Sequence, residues 1–156
     1  MLRFSLGTEY GLRALMELAA RADEGHVPAR VIAAAQGIPS RFLEHQLAAL
    51  HKAGIIESQR GATGGYALAR AADEVRVADV IEVLEGPVAP MVCLEPHDES
   101  RCEHTHQCGL QELWTRVEEA VRGVLEQTTI AELVSRHREL QPLLWPVTMT
   151  SDMRRA

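Results

Sequence analysis

Residues 40–70 read SRFLEHQLAALHKAGIIESQRGATGGYALAR, and this stretch decides the fold. Phe42, Leu43, Leu47 and Leu50 recur at helical spacing and predict an apolar stripe on a helix that Gly54 ends. Ile55-Ile56-Glu57-Ser58 predicts a short strand, Arg60 to Gly65 a glycine-rich turn, and Tyr66-Ala67-Leu68 the returning strand. A helix that runs straight into a hairpin is the closing half of a winged helix-turn-helix. The turn is not a phosphate loop, because it joins strand to strand and no Lys-Ser/Thr follows it.

The chain on either side completes that order. Upstream, TEYGLRALMELAARA (8–22) places Tyr10, Leu12, Leu15, Met16, Leu18 and Ala19 on one helical face, with Thr8 as candidate cap and Asp23-Glu24-Gly25 as the end. Pro28 opens a short helix, ARVIAAAQ, which Gly37 stops, and Gly37-Ile38-Pro39 is the turn between the two helices of the motif. Downstream, RVADVIEVLE (76–85) predicts a fourth helix with Val77, Val80, Ile81 and Leu84 inside. Residues 109–127 predict a long amphipathic helix marked by Leu110, Leu113, Trp114, Val117, Val121, Val124 and Leu125. Thr128-Thr129 caps a last helix, IAELVSRHREL. The expected fold is therefore mainly α, a winged helix-turn-helix domain with a long C-terminal dimerisation helix. The divisions expected are 1–86 for the DNA-binding domain, 87–108 for a cysteine loop, 109–140 for the dimerisation helices and 141–156 for a loose tail. An exposed apolar stripe is most simply buried against a second copy of itself, so Trp114, Val117, Val121 and Leu125 are the expected seam of a homodimer.

Composition narrows the function. The 156 residues are 46% hydrophobic and 24% charged, enough for a real core, with no stretch that approaches a membrane span. Glu9, Arg13 and Glu17 interrupt the apolar run of residues 1–20, so no signal peptide is read and a cytoplasmic location is expected. The net charge of −6 is unevenly shared. Residues 1–70 hold eight Arg or Lys against six acids, whereas residues 71–156 hold eight against sixteen. The basic surplus lies where the DNA-binding pattern lies. No Ser/His/Asp or Cys/His catalytic arrangement is visible, and the chain is not expected to be an enzyme.

In a helix-turn-helix the N-terminal residues of the second helix lie nearest the bases. Ser40, Arg41, Glu44 and His45 are the candidates, Arg41 for guanine or phosphate and Glu44 for cytosine. In the wing, Gly61, Gly64 and Gly65 permit positive φ and close backbone approach, and Arg60 suits a narrow A·T-rich minor groove. The competing reading, a bare protein–protein adaptor surface, is less favoured because the wing follows immediately.

All three cysteines fall in one 16-residue polar segment, Cys93-LEPHDESR-Cys102-EHTHQ-Cys108. Three thiols cannot all pair within a chain, and the tight Cys-x₂₋₄-Cys pair of zinc knuckles is absent. Gaps of eight and five residues suit a bulkier iron–sulfur cluster. One position is left to fill, and His97, His104 and His106 in the loop and Glu9 in the first helix are available. Zinc bound by Cys102, Cys108 and a histidine, and a polar loop with incidental cysteines, are the alternatives.

These features together resemble the IscR/NsrR family of bacterial winged-helix regulators. The matching strings are SRFLEHQLAALHKAG, IIESQRGATGGYALAR, VADVIEVLEG, the three-cysteine loop, Leu113-Trp114 and TTIAELV, covering residues 1 to about 140. The resemblance implies a dimer that binds palindromic A·T-rich double-stranded operators, and an iron–sulfur cluster on Cys93, Cys102 and Cys108. For the fourth ligand it implies Glu9 of the partner subunit; His104 and His106 are rivals because they lie inside the loop. A histidine three residues past the third cysteine is the other family solution, and Gln111 stands there. The long first gap and three thiolates favour 4Fe-4S narrowly over 2Fe-2S. The expectation is a repressor responding to redox state, nitric oxide or iron supply. A winged-helix module using its thiols for zinc or for direct oxidant sensing, without a cluster, is the alternative.

Overall fold

A computed structural model describes residues 3–61, 64–89, 91, 94 and 108–144, with backbone alone for 141–144. Helix α1 spans Leu6–Ala20, α2 Ala29–Gln36, α3 Ser40–Lys52, strand β1 Ile56–Gln59, β2 Gly65–Leu68, α4 Val77–Glu85, α5 Gly109–Gln127 and α6 Ile130–Leu144. The order is that of a winged helix with two appended helices.

Helix α1 begins two residues before the expected start. Ser5 is its N-cap and accepts from the Thr8 N–H at 3.2 Å. Thr8 is not the cap: it sits inside the first turn, 1% exposed. Its hydroxyl donates to Glu85 Oε1, at the end of α4, at 2.5 Å. Helix α2 has the expected bounds because its punctuation is strong. Pro28 stands at its N-cap and Gly37, at φ 62°, closes it in the left-handed region.

Strands β1 and β2 pair antiparallel, with Ile56 opposite Leu68 and Gln59 opposite Gly65. A third edge was not expected. Val27 bridges Tyr66, through Val27 N–H to Tyr66 O at 2.8 Å and Tyr66 N–H to Val27 O at 2.9 Å. A single-residue bridge has no alternation to detect. It fixes the entry of α2 against the wing.

The core gathers Leu15 of α1, Ile32 of α2, Leu43, Leu47 and Leu50 of α3, Ile56 of β1 and Val80 of α4, all at most 1% exposed. Phe42 does not belong to the buried stripe of α3: it is 59% exposed. On α4, Val77, Val80 and Ile81 are buried as expected, and Leu84 packs against the core from its edge. Leu84 lies directly over the α1 backbone at Gly11, where an added Cβ would sit 2.4 Å from Leu84 Cδ1.

Helix α6 returns to this body. Val77 N–H donates to Thr128 O and Ile130 N–H to Val75 O, both at 2.9 Å. Ile130 and Val134 enter the core. Thr129 and Glu132 form a reciprocal capping box at its start: Thr129 N–H donates to Glu132 Oε2 at 2.8 Å, and Glu132 N–H to Thr129 Oγ1 at 3.2 Å. The helix continues to Leu144, four residues beyond the expected end at Leu140.

Helix α5 is different. None of its residues is buried in the chain. Leu110, Leu113 and Val124 are 60, 49 and 66% exposed, and Trp114, Val117, Val121 and Leu125 are half-buried. Leu110, Val117 and Val124 recur every seven residues, with Trp114 and Val121 between them. No helix among the described residues is long and apolar enough to cross a membrane.

Candidate DNA-reading surface and cysteine site

A polar lock joins α1 to the end of α2. Arg13 donates from Nε to Gln36 Oε1 at 3.3 Å and from Nη2 to the Gln36 carbonyl oxygen. Gln36 Nε2 donates to Glu17 Oε2 at 2.7 Å, and Glu17 also holds Arg21. A guanidinium at a helix C-terminus satisfies a carbonyl that has no partner within the helix and complements the dipole. The lock sits one residue before the turn that leads into α3. An Arg and a Gln 23 residues apart give no local pattern, and sequence reading missed the pair.

Buried Leu43, Leu47 and Leu50 turn the opposite face of α3 outward. Ser40, Arg41, Glu44 and His45 are all exposed on it, near its start. Pro39 stands at the N-cap without a side-chain hydrogen bond, and the first turn holds no acid. The positive end of the helix dipole therefore meets solvent without an intervening carboxylate. His45 Nδ1 is 3.4 Å from Gln46 Nε2. Further along, His51 Nε2 lies 3.1 Å from Ser58 Oγ and links α3 to β1.

Arg60 is exposed where β1 leaves the sheet. Among the described residues neither Arg41 nor Arg60 has an ion-pair partner, whereas Arg70 holds Asp79 at 3.1 Å and ties the base of the wing to α4. The three wing glycines divide. Gly61, at φ 113°, is the positive-φ residue. Gly64 and Gly65 are not, contrary to expectation, but both show the expected close backbone approach, and they make it to the chain itself. A Cβ on Gly64 would sit 2.3 Å from Gln59 O, and one on Gly65 2.4 Å from the Val27 carbonyl.

Of the thiols, Cys108 is described. It is a free, half-buried cysteine at the N-cap of α5, and its carbonyl accepts from Gln111 N–H at 3.0 Å. It lines an open concavity of about 580 Å³ with Glu112, Thr115, Arg116 and Glu119. Cys93, Cys102, His97, His104 and His106 lie outside the described residues. Glu9 lies elsewhere in the chain, 59% exposed by side chain and 3.5 Å from Arg13. It faces a groove of about 810 Å³ between α1, α2 and α6, with His137 and Arg138 on the far side. Within the chain Glu9 and Cys108 thus line different concavities. No three His, Cys, Asp or Glu side chains gather as a metal site among the described residues, which include one of the three cysteines.

Comparison with known proteins agrees with this architecture. The Rrf2 family profile, described as an iron-dependent transcriptional regulator, matches residues 4–136. The chain is 35% identical over 134 residues to the HTH-type transcriptional regulator CymR of Bacillus subtilis, covering 86% of this chain and 91% of that one. It is 32% identical over 134 residues to the HTH-type transcriptional regulator IscR of Serratia proteamaculans, covering 86 and 80%. Among solved structures, CymR of B. subtilis, described as the global cysteine regulator, superposes with a TM-score of 0.73 at 36% identity over 87% of this chain and 98% of that one. IscR of T. potens gives 0.73 at 34% identity over 90 and 91%. With the family profile spanning the winged domain, α5 and the start of α6, the chain belongs to the Rrf2 family of transcriptional regulators.

Proposed function

We propose that this chain is a sequence-specific DNA-binding transcription regulator that acts as a homodimer and represses from palindromic A·T-rich operators. The observation that carries this reading is the outward face of α3, where Ser40, Arg41, Glu44 and His45 stand exposed beside a wing bearing Arg60. Arg41 and Glu44 supply base or phosphate contacts in the major groove, and Arg60 enters the narrow minor groove. The exposed seven-residue repeat of α5 supports dimerisation, since two copies bury their stripes against one another.

The finer proposal is that an iron–sulfur cluster sets the affinity for DNA. Cys93, Cys102 and Cys108 are the thiolate ligands, Glu9 of the partner subunit the fourth, and 4Fe-4S is preferred to 2Fe-2S. What the structure offers toward this is Cys108, a free thiol open to a concavity at the start of α5. When bound, such a cluster supplies an iron site that exchanges ligands and electrons. The chain's own part is transmission. The loop that holds the thiols leaves from the end of α4, where Glu85 grips the first turn of α1, and arrives at the N-cap of α5. A change in that loop therefore pulls on both α1 and the proposed dimer helix.

A second reading has its own support. The similarity to CymR is as extensive as that to IscR, and CymR of Staphylococcus aureus has been solved in an oxidized form. In this reading the thiols meet oxidant or zinc directly and no cluster forms. Anaerobic purification separates the two. The cluster reading expects brown protein with visible absorption and iron and sulfide in equal amounts, lost in Cys108→Ala. Colourless protein with zinc or with three free thiols would decide for the second.

A further inference from the structure

Phe42 is the most exposed of the described aromatic side chains, 59% open to solvent in the first turn of α3. The core does not use it. Leu43 and Leu47 beside it are fully buried, and Phe42 is absent both from the core and from the partly buried residues packed on it. Arg41 precedes it, and His45 stands three positions on, one turn further along the helix surface. A large apolar ring is thus set among polar groups on the turn that a helix-turn-helix carries closest to the bases.

The floor of the major groove offers one apolar group, the C5-methyl of thymine. We propose that Phe42 is a base-reading residue of the α3 surface that takes a thymine methyl in each half-site. The inference rests on the DNA-reading function proposed above and adds a specificity element to it. Arg41 anchors the turn on phosphate or guanine. The ring of Phe42 then loses water against the methyl, which cytosine lacks. The contact is apolar, so it resists salt, whereas the arginine contacts weaken as salt rises.

The test uses full-length wild-type protein to select binding sites from a random duplex pool. The selected duplex is then resynthesised with deoxyuridine replacing thymine, one position at a time, which removes the methyl and keeps the pairing. At one position per half-site, deoxyuridine should weaken wild-type binding about fourfold, the effect of exposing one buried carbon. Phe42→Ala should bind the two duplexes alike, Phe42→Leu should keep part of the discrimination, and both should melt with the wild type. Equal wild-type affinity for every deoxyuridine duplex would overturn the proposal, as would undiminished discrimination by Phe42→Ala. So would a Phe42→Ala protein that melts well below the wild type, which would assign the ring to packing. A selection that enriches no sequence would instead remove the DNA-reading function itself.

Discussion

The hydroxyl of Thr8 donates to Glu85 Oε1 at 2.5 Å, joining residues 77 apart. The same oxygen accepts from the Ser5 N–H at 2.6 Å. One carboxylate thus holds the first turn of α1 to the last residue of α4, and the loop with the other cysteines begins just beyond. The Ser5 side chain, the Thr8 hydroxyl and the Ser5 amide, in that order, hold the Glu85 carboxyl below its ordinary value.

This clamp makes a pH prediction. Because the folded value lies below the unfolded one of about 4.3, the Glu85 carboxylate adds stability above that pH. The contribution is lost as pH falls through the lower folded value. Thermal melts of wild type and Glu85→Gln should differ at neutral pH and converge at lower pH. Thr8→Val, which removes one buried donor, should lower stability by about 1 kcal/mol at neutral pH. A gap between wild type and Glu85→Gln that stays constant down to pH 3 would contradict the assignment.

Gly65→Ala tests the unexpected third edge of the sheet. The new methyl would press on the Val27 carbonyl at 2.4 Å and on Pro28 N at 2.7 Å, backbone that cannot swing aside. A loss of about 1–3 kcal/mol is expected by denaturant titration. Wild-type stability would mean that the Val27–Tyr66 bridge is dispensable.

The capping box of α6 is separable from the wing. Thr129→Ala should lower stability by about 1 kcal/mol, the usual effect of deleting a threonine cap. The Thr129 amide should exchange its hydrogen faster in Glu132→Ala, which removes the acceptor from that N–H.

Legibility in the sequence followed the distance over which each signal acts. The bounds of α2 and α5 were readable because proline, glycine and a regular apolar stripe are local. The Ser5 cap was missed because Gly7 lies within the first turn and the leucine and alanine pattern strengthens only after Tyr10. The signal was present in Ser5 and Thr8 at cap spacing. Phe42 was assigned to the buried stripe because hydropathy alone cannot tell which side of an apolar residue faces the core. The Arg13–Gln36 lock, the Val27 bridge and the Thr8–Glu85 bond join residues remote in sequence. Of the site, the exposed face of α3 and Arg60 were legible. Close backbone approach at Gly64 and Gly65 was legible from glycine itself, but its partners were not, since they depend on where Gln59 and Val27 pass.

The dimer proposal predicts a mutational pattern along α5. Val117→Asp, at the middle of the seven-residue repeat, should give a monomer in sedimentation at micromolar concentration and weaken operator binding. Arg116→Asp, exposed on the same helix, should remain a dimer. A wild-type monomer under these conditions would assign the stripe to some other partner.

Arg41→Ala and Arg60→Ala should separate the two grooves. The first should lose about 1–3 kcal/mol of base discrimination if its contact is a bidentate one to guanine. The second should relax the preference for A·T-rich flanks and retain the major-groove sequence. Equal loss on every sequence in both variants would reduce the two arginines to phosphate contacts.

In the proposed function a cluster on the three cysteines governs DNA affinity. This control is tested most directly by measuring operator binding of one anaerobic preparation before and after its iron is removed by chelation, at fixed salt. A difference of at least about fivefold is expected, the lower end of ordinary coupling between sites. By reciprocity the operator should change the rate or extent of cluster loss. Equal affinity of cluster-loaded and cluster-free protein for the same operator would contradict it.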